Sequence, residues 1–502
     1  MKHKIKILTA LVVGFAACAS APLRSYAQQT PTTHHHYVVV DVGTFGGPGS
    51  IVYEAATRSL NNQGTFTGAA DTPNLDPNNP QNPCSGYPDN TIDPYIQHVF
   101  RWELGEKADL GRFPGGTSSC SQWINDRGWI VGSATDGKVD LLAGFPEAHA
   151  TLWRNGEILD LGTFGGSESY AWSVNDLGQV VGFASNTVPD QSACNVFAWG
   201  ATETHAFLWQ NGRMQDLGTL GGPDSDAFVV NARGQIAGMS LTSSGSVDPF
   251  LWESGKMIDL GTLGGTFGYP NMINGRGRIA GFSDVAGDLS GHAFLWENGV
   301  LNDLGTHGGT VSEARWINEA GDAAGYATFP GDQVVHATLW ANGKVVDLGA
   351  TTDFPCSYAN GINNLGQVLG ALQICPNQAP RQAFLWERGD LVNLNTLIPP
   401  GSEIVLGSAD SANDRGEIVA LGTLPNGDLR AVLLIPCDEN HPNVAGCDYS
   451  LVEATATAQV LPAQITQSLA ASSAKLSPAE VTTRFQSLMG NRRRGFGTAS
   501  PK

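Results

Sequence analysis

The sequence predicts an all-β fold, a β-propeller of four-stranded blades, and three features carry that expectation. A stretch typified by residues 292–309, HAFLWENGVLNDLGTHGG, recurs along most of the chain. Each recurrence brings four short apolar segments divided by turn-forming residues, over a period close to that of one propeller blade. The chain enters on the second segment of a unit, at Tyr37 to Asp41, and leaves on a first segment, Arg430 to Ile435, so its two ends supply complementary parts of one blade.

The first segment ends in a tryptophan at 102, 153, 209, 252, 296, 340 and 386. Along it, His292, Phe294 and Trp296 face one way and Ala293 and Leu295 the other, because strand side chains alternate. Both faces are largely apolar, which suits a strand packed between neighbouring sheets. The second segment ends in an Asp at 41, 109, 160, 216, 259, 303 and 347, and weakly at Asn393. Asn-Gly pairs starting at Asn155, Asn211, Asn298 and Asn342 separate these two segments, and Asn-Gly favours a two-residue hairpin turn. The third segment ends in an Asn at 61, 125, 175, 231, 274, 318, 363 and 413, followed by turns such as NDLG that lead into the fourth. Between the two hairpins lies GTLGG or a variant, whose glycines allow a tight reversal. With Ala431 to Leu434 counted, each segment class has eight members. Eight blades closed by joining the N- and C-terminal strands follow, with seven blades or a β-solenoid as alternatives. A linear solenoid would need capping at its ends, whereas a closed ring needs none.

The pattern HAFLW.NG...DLGTLGG..S.A..IN..GQIVG resembles the HAF repeat of extracellular bacterial proteins over residues 37–436. The resemblance implies an exported bacterial protein and carries no activity with it. Two places depart from it: Asp248-Pro249 stands where His-Ala is usual, and Asn393-Leu394-Asn395 where Asp-Leu-Gly is usual.

The ends read differently from the repeats. Residues 1–27 have a basic start at Lys2, Lys4 and Lys6 and an apolar run from Ile7 to Ala17, as in an export signal. Cleavage after Ser25-Tyr26-Ala27 would release the chain to the periplasm or beyond. An imperfect lipobox ending in Cys18 would instead anchor it to the cell envelope by a lipid. Residues 28–36 are expected to be a linker, with His34-His35-His36 solvated. Residues 437–450 form a loop that Cys437 and Cys447 would close, and 451–502 a flexible tail with a short helix near 478–489 and a solvated Arg492-Arg493-Arg494. Of the seven cysteines after Ala27, Cys437 with Cys447 and Cys356 with Cys375 are the expected disulfides, leaving Cys84, Cys120 and Cys194 open. No CxxC pair occurs and no metal or other cofactor is expected. A net charge of -19 repels nucleic-acid phosphates, and no stretch after the signal is long and apolar enough to span a membrane.

Repetition argues against chemistry in the commonest polar residues. His98, His149, His205, Asp248, His292, His336, Gln382 and Arg430 open the first segment of the eight units. Sheets about 10 Å apart around eight positions give a ring radius on the order of 13 Å, far beyond the roughly 2.0–2.1 Å of a zinc–nitrogen bond. These residues are expected to hydrogen-bond neighbouring backbone, and the repeated aspartates to accept backbone N–H groups beside the glycine-rich reversal. Non-repeated residues are better ligand candidates. His307 replaces the Phe or Leu of the GTLGG reversal in one unit, while Asp71, Asp76, Asp190 and Glu203 lie in insertions that share a face with that reversal. No GxSxG, HExxH or Walker motif occurs. The sequence therefore favours a monomeric exported recognition or scaffold module that binds an extracellular protein or glycan through the face carrying these insertions, without catalysis. A glycan-processing hydrolase or lyase using loop carboxylates is the first alternative, and a structural cell-envelope protein the second.

Overall fold

The protein is described here by a computed structural model covering residues 33–53, 57–79, 84, 93–140, 144–189, 202–375 and 378–453. The export signal with Cys18, Asp190, Cys194 and the 478–489 helix lie outside those residues. The described chain is strand and turn apart from one 3₁₀ turn at Leu394–Thr396. No described helix is long and apolar enough to cross a membrane.

Ser169–Val174, Val180–Pro189, Thr202–Gln210 and Arg213–Asp216 form a typical sheet, each strand antiparallel to the next. Its first strand is wholly buried and its last largely exposed, so the sheet runs from the core to the surface. Five further four-stranded sheets are built the same way. One eight-stranded sheet contains two such sets, joined by a single parallel pairing of Val247 with Phe267. The N-terminal strand Tyr37–Asp41 pairs antiparallel with Leu429–Pro436 and completes the sheet that the last strands of the repeat region begin.

Asn155, Asn211, Asn298 and Asn342 all have φ between 52° and 54°, each followed by a glycine with φ of 70° to 84°. Such a left-handed pair is what the hairpin turn requires, and asparagine tolerates it. Leu104 holds the same turn position at φ 53° while 93% exposed, where its side chain gains nothing. Leu104→Asn is expected to stabilise the protein by about 1 kcal/mol, readable as a higher denaturant midpoint with unchanged slope.

Neighbouring sheets are stapled by serine and asparagine. Ser169 Oγ donates to the Gly162 carbonyl and accepts the Ala150 N–H of the preceding sheet, and Ser225, Ser312 and Ser357 repeat the arrangement. The eight asparagines that end the inner strands form a closed ring. Each Nδ2 donates to the main-chain carbonyl of the next ring asparagine, from Asn61 to Asn125 and onward to Asn413, whose Nδ2 returns to Asn61 at 3.0 Å.

The inner strands share a further device. In Ser169–Val174 the register shifts between Ala171 and Ser173, leaving Trp172 as the extra residue of a β-bulge. The same shift singles out Gln122, Phe228, Asn271, Arg315, Asn360 and Asp410. A bulge re-aims the side chain of its extra residue.

Three disulfides join Cys84 to Cys120, Cys356 to Cys375 and Cys437 to Cys447. They fit an oxidising compartment outside the cytoplasm. The sheet that joins the two ends of the repeat region runs from Tyr37 to Pro436, and a separate two-stranded sheet lies outside it. Thr33–His35 pairs with Leu451–Glu453, so part of the expected linker and the start of the expected tail are strands. The reading of His34 as solvated is corrected: its side chain is buried, with Nδ1 2.8 Å from Glu387 Oε1. Beyond the Cys437–Cys447 loop the chain returns to pair with the N-terminal strand, with His34 opposite Val452.

Candidate functional site

The bulge residues meet around the centre of the ring. Trp172 Nε1 donates to both oxygens of Asp226 at 3.0 Å, and Asn271 Nδ2 donates to Glu313 at 2.9 Å. Arg315 donates to Asn360 Oδ1 at 2.9 Å, and Asn360 donates onward to Asp410 at 3.1 Å. Each of these bonds reaches from one sheet to the inner strand of the next. The Arg315 guanidinium also lies over the rings of Tyr326 and Tyr358, whose hydroxyl pKa values burial pushes up first of all. All seven bulge residues are buried, and only asparagine recurs among them, at 271 and 360. Apart from Phe228, which packs edge-on against Trp172, they form a layer of hydrogen-bonding and charged side chains.

One end of the axis opens into a cavity of about 350 Å³. That volume is at the low end of the roughly 300–1,000 Å³ typical of ligand clefts. Its apolar lining comes from Val174, Val229, Met272 and a pair of tryptophans, Trp123 and Trp316, whose rings stack at 6.0 Å. The asparagine ring lines the mouth, but its side chains are occupied: Asn125 Oδ1, for example, accepts the N–H groups of Arg127 and Trp129. The residues that follow the ring asparagines complete the rim, with Asp126, Asp176, Glu319 and Asp414 against Arg58, which is itself paired with Asp126 at 2.5 Å. The mouth is thus an apolar floor within a polar, acidic rim. It faces away from the GTLGG reversals and the long insertions, since successive strand connections alternate between the two ends of the sheets.

The sequence candidates sit elsewhere. His307 is buried, stacked on Phe329 at 4.8 Å with Nε2 2.9 Å from Thr338 Oγ1, and burial lowers its pKa. Glu203 takes a bond from Asn186 at 3.3 Å. Asp71 and Asp76 are brought together with Asp93, all three buried. Asp71 accepts the Gly49 N–H at 2.7 Å and the Gln97 amide at 3.0 Å, and the same amide donates to Asp93. Asp76 accepts from Ser118 Oγ at 2.7 Å, and Ser118 Oγ accepts the Gln97 N–H. These carboxyls tie together the described ends of the Asp71 to Gln97 insertion; they do not face one another across open space.

Burial, and then its bond and charge interaction with Asp93, push the Asp71 pKa up from 3.8 to about 8. Between those values the folded chain keeps a proton that the unfolded chain has lost, so this group's contribution falls as pH rises from about 4 to about 8. Asp71→Asn is expected to flatten that slope and raise the melting temperature at pH 8 by roughly 3 °C. Gln97 Oε1, which has no partner among the described residues, can accept from the new amide. Melting curves at pH 5 and pH 8 check this.

The repeated histidines and aspartates explain one another. Nδ1 of His98, His149, His205, His292 and His336 lies 2.8–2.9 Å from the carboxylate of Asp109, Asp160, Asp216, Asp303 and Asp347. The expected backbone partner of these histidines is therefore corrected to a side chain on the adjacent strand. The same aspartates accept the glycine N–H two residues on, as the sequence suggested. Ligand atoms of Asp136, Glu147 and His149 lie within 4.8 Å of one another, but the Lys138 ammonium pairs with Asp136 and lies 3.8 Å from Glu147. That cation already answers the local negative charge.

Sequence reasoning missed the axial layer and the mouth. The available signal was position: three residues before the ring asparagines the side chain changes from Arg58 to Gln122, Trp172, Phe228, Asn271, Arg315, Asn360 and Asp410, within an otherwise repeated frame.

Fold and axis together define a β-propeller module. No family model matches the chain, and no curated protein matches it. Solved structures similar to it include the β-propeller domain of the Trilobed protease from Pyrococcus furiosus, at 10% identity and a TM-score of 0.39, covering 65% of this chain and 98% of that one. The acylaminoacyl peptidase of Pyrococcus horikoshii is similar at 12% identity and a TM-score of 0.40, covering 74% of this chain and 58% of that one. A prolyl endopeptidase matches at 12% identity and a TM-score of 0.41 over 75% of this chain, which spans 55% of that enzyme.

Proposed function

We propose that this is an exported, eight-bladed propeller that binds a glycan at its axial mouth, outside the cytoplasm and without catalysis. The observation that carries the reading is the Trp123–Trp316 floor set inside a ring of main-chain and carboxylate groups. Sugars present apolar C–H faces to aromatic side chains and hydroxyls to polar rims, and both halves of that chemistry are available at the mouth. Eight ring asparagines with eight hydrogen bonds support the blade number. The resemblance to HAF repeats and the three disulfides support export. The catalytic alternative loses ground because Asp71, Asp76 and Asp93 are buried in structural bonds.

Titration calorimetry against a panel of soluble neutral oligosaccharides tests the reading, with Trp316→Ala as the variant because Trp316 is only half-buried. The variant is expected to bind at least about tenfold more weakly and to melt lower, since Trp316 packs against Trp123 and the core around it, so binding is read at a temperature where both proteins are folded. A sugar bound equally by both proteins would place the binding site elsewhere.

A further inference from the structure

The rim of the mouth carries a second ring of hydrogen bonds, and that ring is broken at one place. The residue after each ring asparagine offers its main-chain N–H to the side chain at the equivalent position in the next unit. Asn62 donates to Asp126, Asp126 to Asp176, Gly275 to Glu319, Glu319 to Asn364, Asn364 to Asp414 and Asp414 to Asn62, all at 2.7–3.1 Å. The pattern fails twice in succession. The acceptor position facing Asp176 is Ala232, and the one facing Ala232 is Gly275, neither of which has an acceptor side chain. No hydrogen bond is found for the Asp176 or Ala232 N–H among the described residues. Both residues line the mouth, beside Val174, Val229 and Met272.

We infer that this gap is the orienting subsite of the mouth, where the unpaired Asp176 N–H receives the acetamido carbonyl of an N-acetylated neutral sugar. The inference rests on the glycan reading above and names its ligand class. A carbonyl is the strongest uncharged acceptor that such a ligand carries, and it replaces the side-chain oxygens that complete the ring elsewhere. A carboxylate or sulfate would meet the same donor, but it would enter a rim holding Asp126, Asp176, Glu319 and Asp414 against the already paired Arg58. Like charges confined at one mouth repel, so an uncharged acceptor is preferred.

The chain itself supplies the test variant. Asn364 shows that an asparagine at this position accepts the preceding N–H, since Glu319 donates to its Oδ1 at 2.9 Å. Ala232→Asn should therefore fill the gap facing Asp176 without adding charge, and Ala232 is exposed, so the change leaves the core alone. The measurement is calorimetric titration of the wild type, Ala232→Asn and Trp316→Ala with two β-1,4-linked tetramers, one of N-acetylglucosamine and one of glucose. The wild type is expected to prefer the N-acetylated tetramer by about tenfold. Ala232→Asn should erase that preference and retain the residual affinity for the glucose tetramer, with a melting temperature no lower than that of the wild type. Trp316→Ala should weaken both tetramers. Equal binding of the two tetramers by the wild type, unchanged in Ala232→Asn but weakened in Trp316→Ala, would overturn the subsite and leave the glycan reading intact. If neither tetramer binds, the subsite is overturned, and if no member of the wider panel binds, the glycan reading falls as well.

Discussion

Gly182→Ala is expected to destabilise the fold by about 3 kcal/mol or more, although it adds a single methyl group. A Cβ at Gly182 would stand 1.8 Å from the Tyr170 carbonyl oxygen and 2.9 Å from its carbon, both main-chain atoms that cannot swing aside. The crowding comes from the bulge. Gly182 pairs with Ala171 beside the extra residue Trp172, where the inner strand is pushed against its neighbour. Gly132, Gly325 and Gly370 stand in the same relation to their own inner strands, with a Cβ 1.8–2.0 Å from a carbonyl oxygen. Ala420 holds the equivalent place in the last sheet, where the inner strand shifts register a second time between Leu406 and Ser408. The control is Gly407→Ala, whose Cβ would meet nothing closer than 3.8 Å and which should change stability by less than about 0.5 kcal/mol. Urea denaturation followed by tryptophan fluorescence reads both. Because the bulge aims Trp172 at Asp226, the glycine variant should also perturb the near-ultraviolet circular dichroism. Equal midpoints for Gly182→Ala and the wild type would mean that the bulge is not constrained by its neighbour.

The same bulge explains what the sequence could and could not disclose. Strand positions were legible because alternation, Asn-Gly turns and the repeat period reflect local preferences that each unit states again. Pairing of Tyr37–Asp41 with Leu429–Pro436 was legible because the repeat region opens and closes on complementary segments. The axial layer was hidden because an extra residue in a bulge departs from strict alternation, so Trp172 and Arg315 read as ordinary strand residues. The pairing of His292 with Asp303 was hidden for a different reason: the two belong to separate repeated sets in the sequence, and only hairpin register places them side by side. Asp71 looked like an exposed loop carboxylate because its partners Gly49 and Gln97 lie 22 and 26 residues away, and burial by distant residues leaves no local trace. The gap at Ala232 is a missing acceptor in a ring of acceptors, which no motif can report until the ring is known.

Asn413→Ala tests whether that ring is closed, with an expected loss of more than about 3 kcal/mol. Asn413 Oδ1 accepts the N–H groups of Arg415 and Glu417 at 3.0 and 3.1 Å. Its Nδ2 donates to Glu417 at 2.6 Å and to the Asn61 carbonyl at 3.0 Å, joining the last turn of the repeat region to the first. Alanine removes all four bonds and leaves the Glu417 N–H buried without its partner, a cost of about 1–3 kcal/mol in itself. Aspartate should not rescue the site, since it keeps the acceptor but turns an oxygen toward the Glu417 carboxylate and the Asn61 carbonyl. Asn231 makes the same four kinds of bond between turns that are close in sequence. If the ring is closed in solution, Asn413→Ala and Asn231→Ala should lower the urea midpoint to a similar extent, because a closed ring has no weakest seam. A costly Asn231→Ala beside a nearly neutral Asn413→Ala would mean that the ring opens where the chain ends meet. The mouth would then lose its continuous rim, and the paired strands Tyr37–Asp41 and Leu429–Pro436 would hold the closure alone.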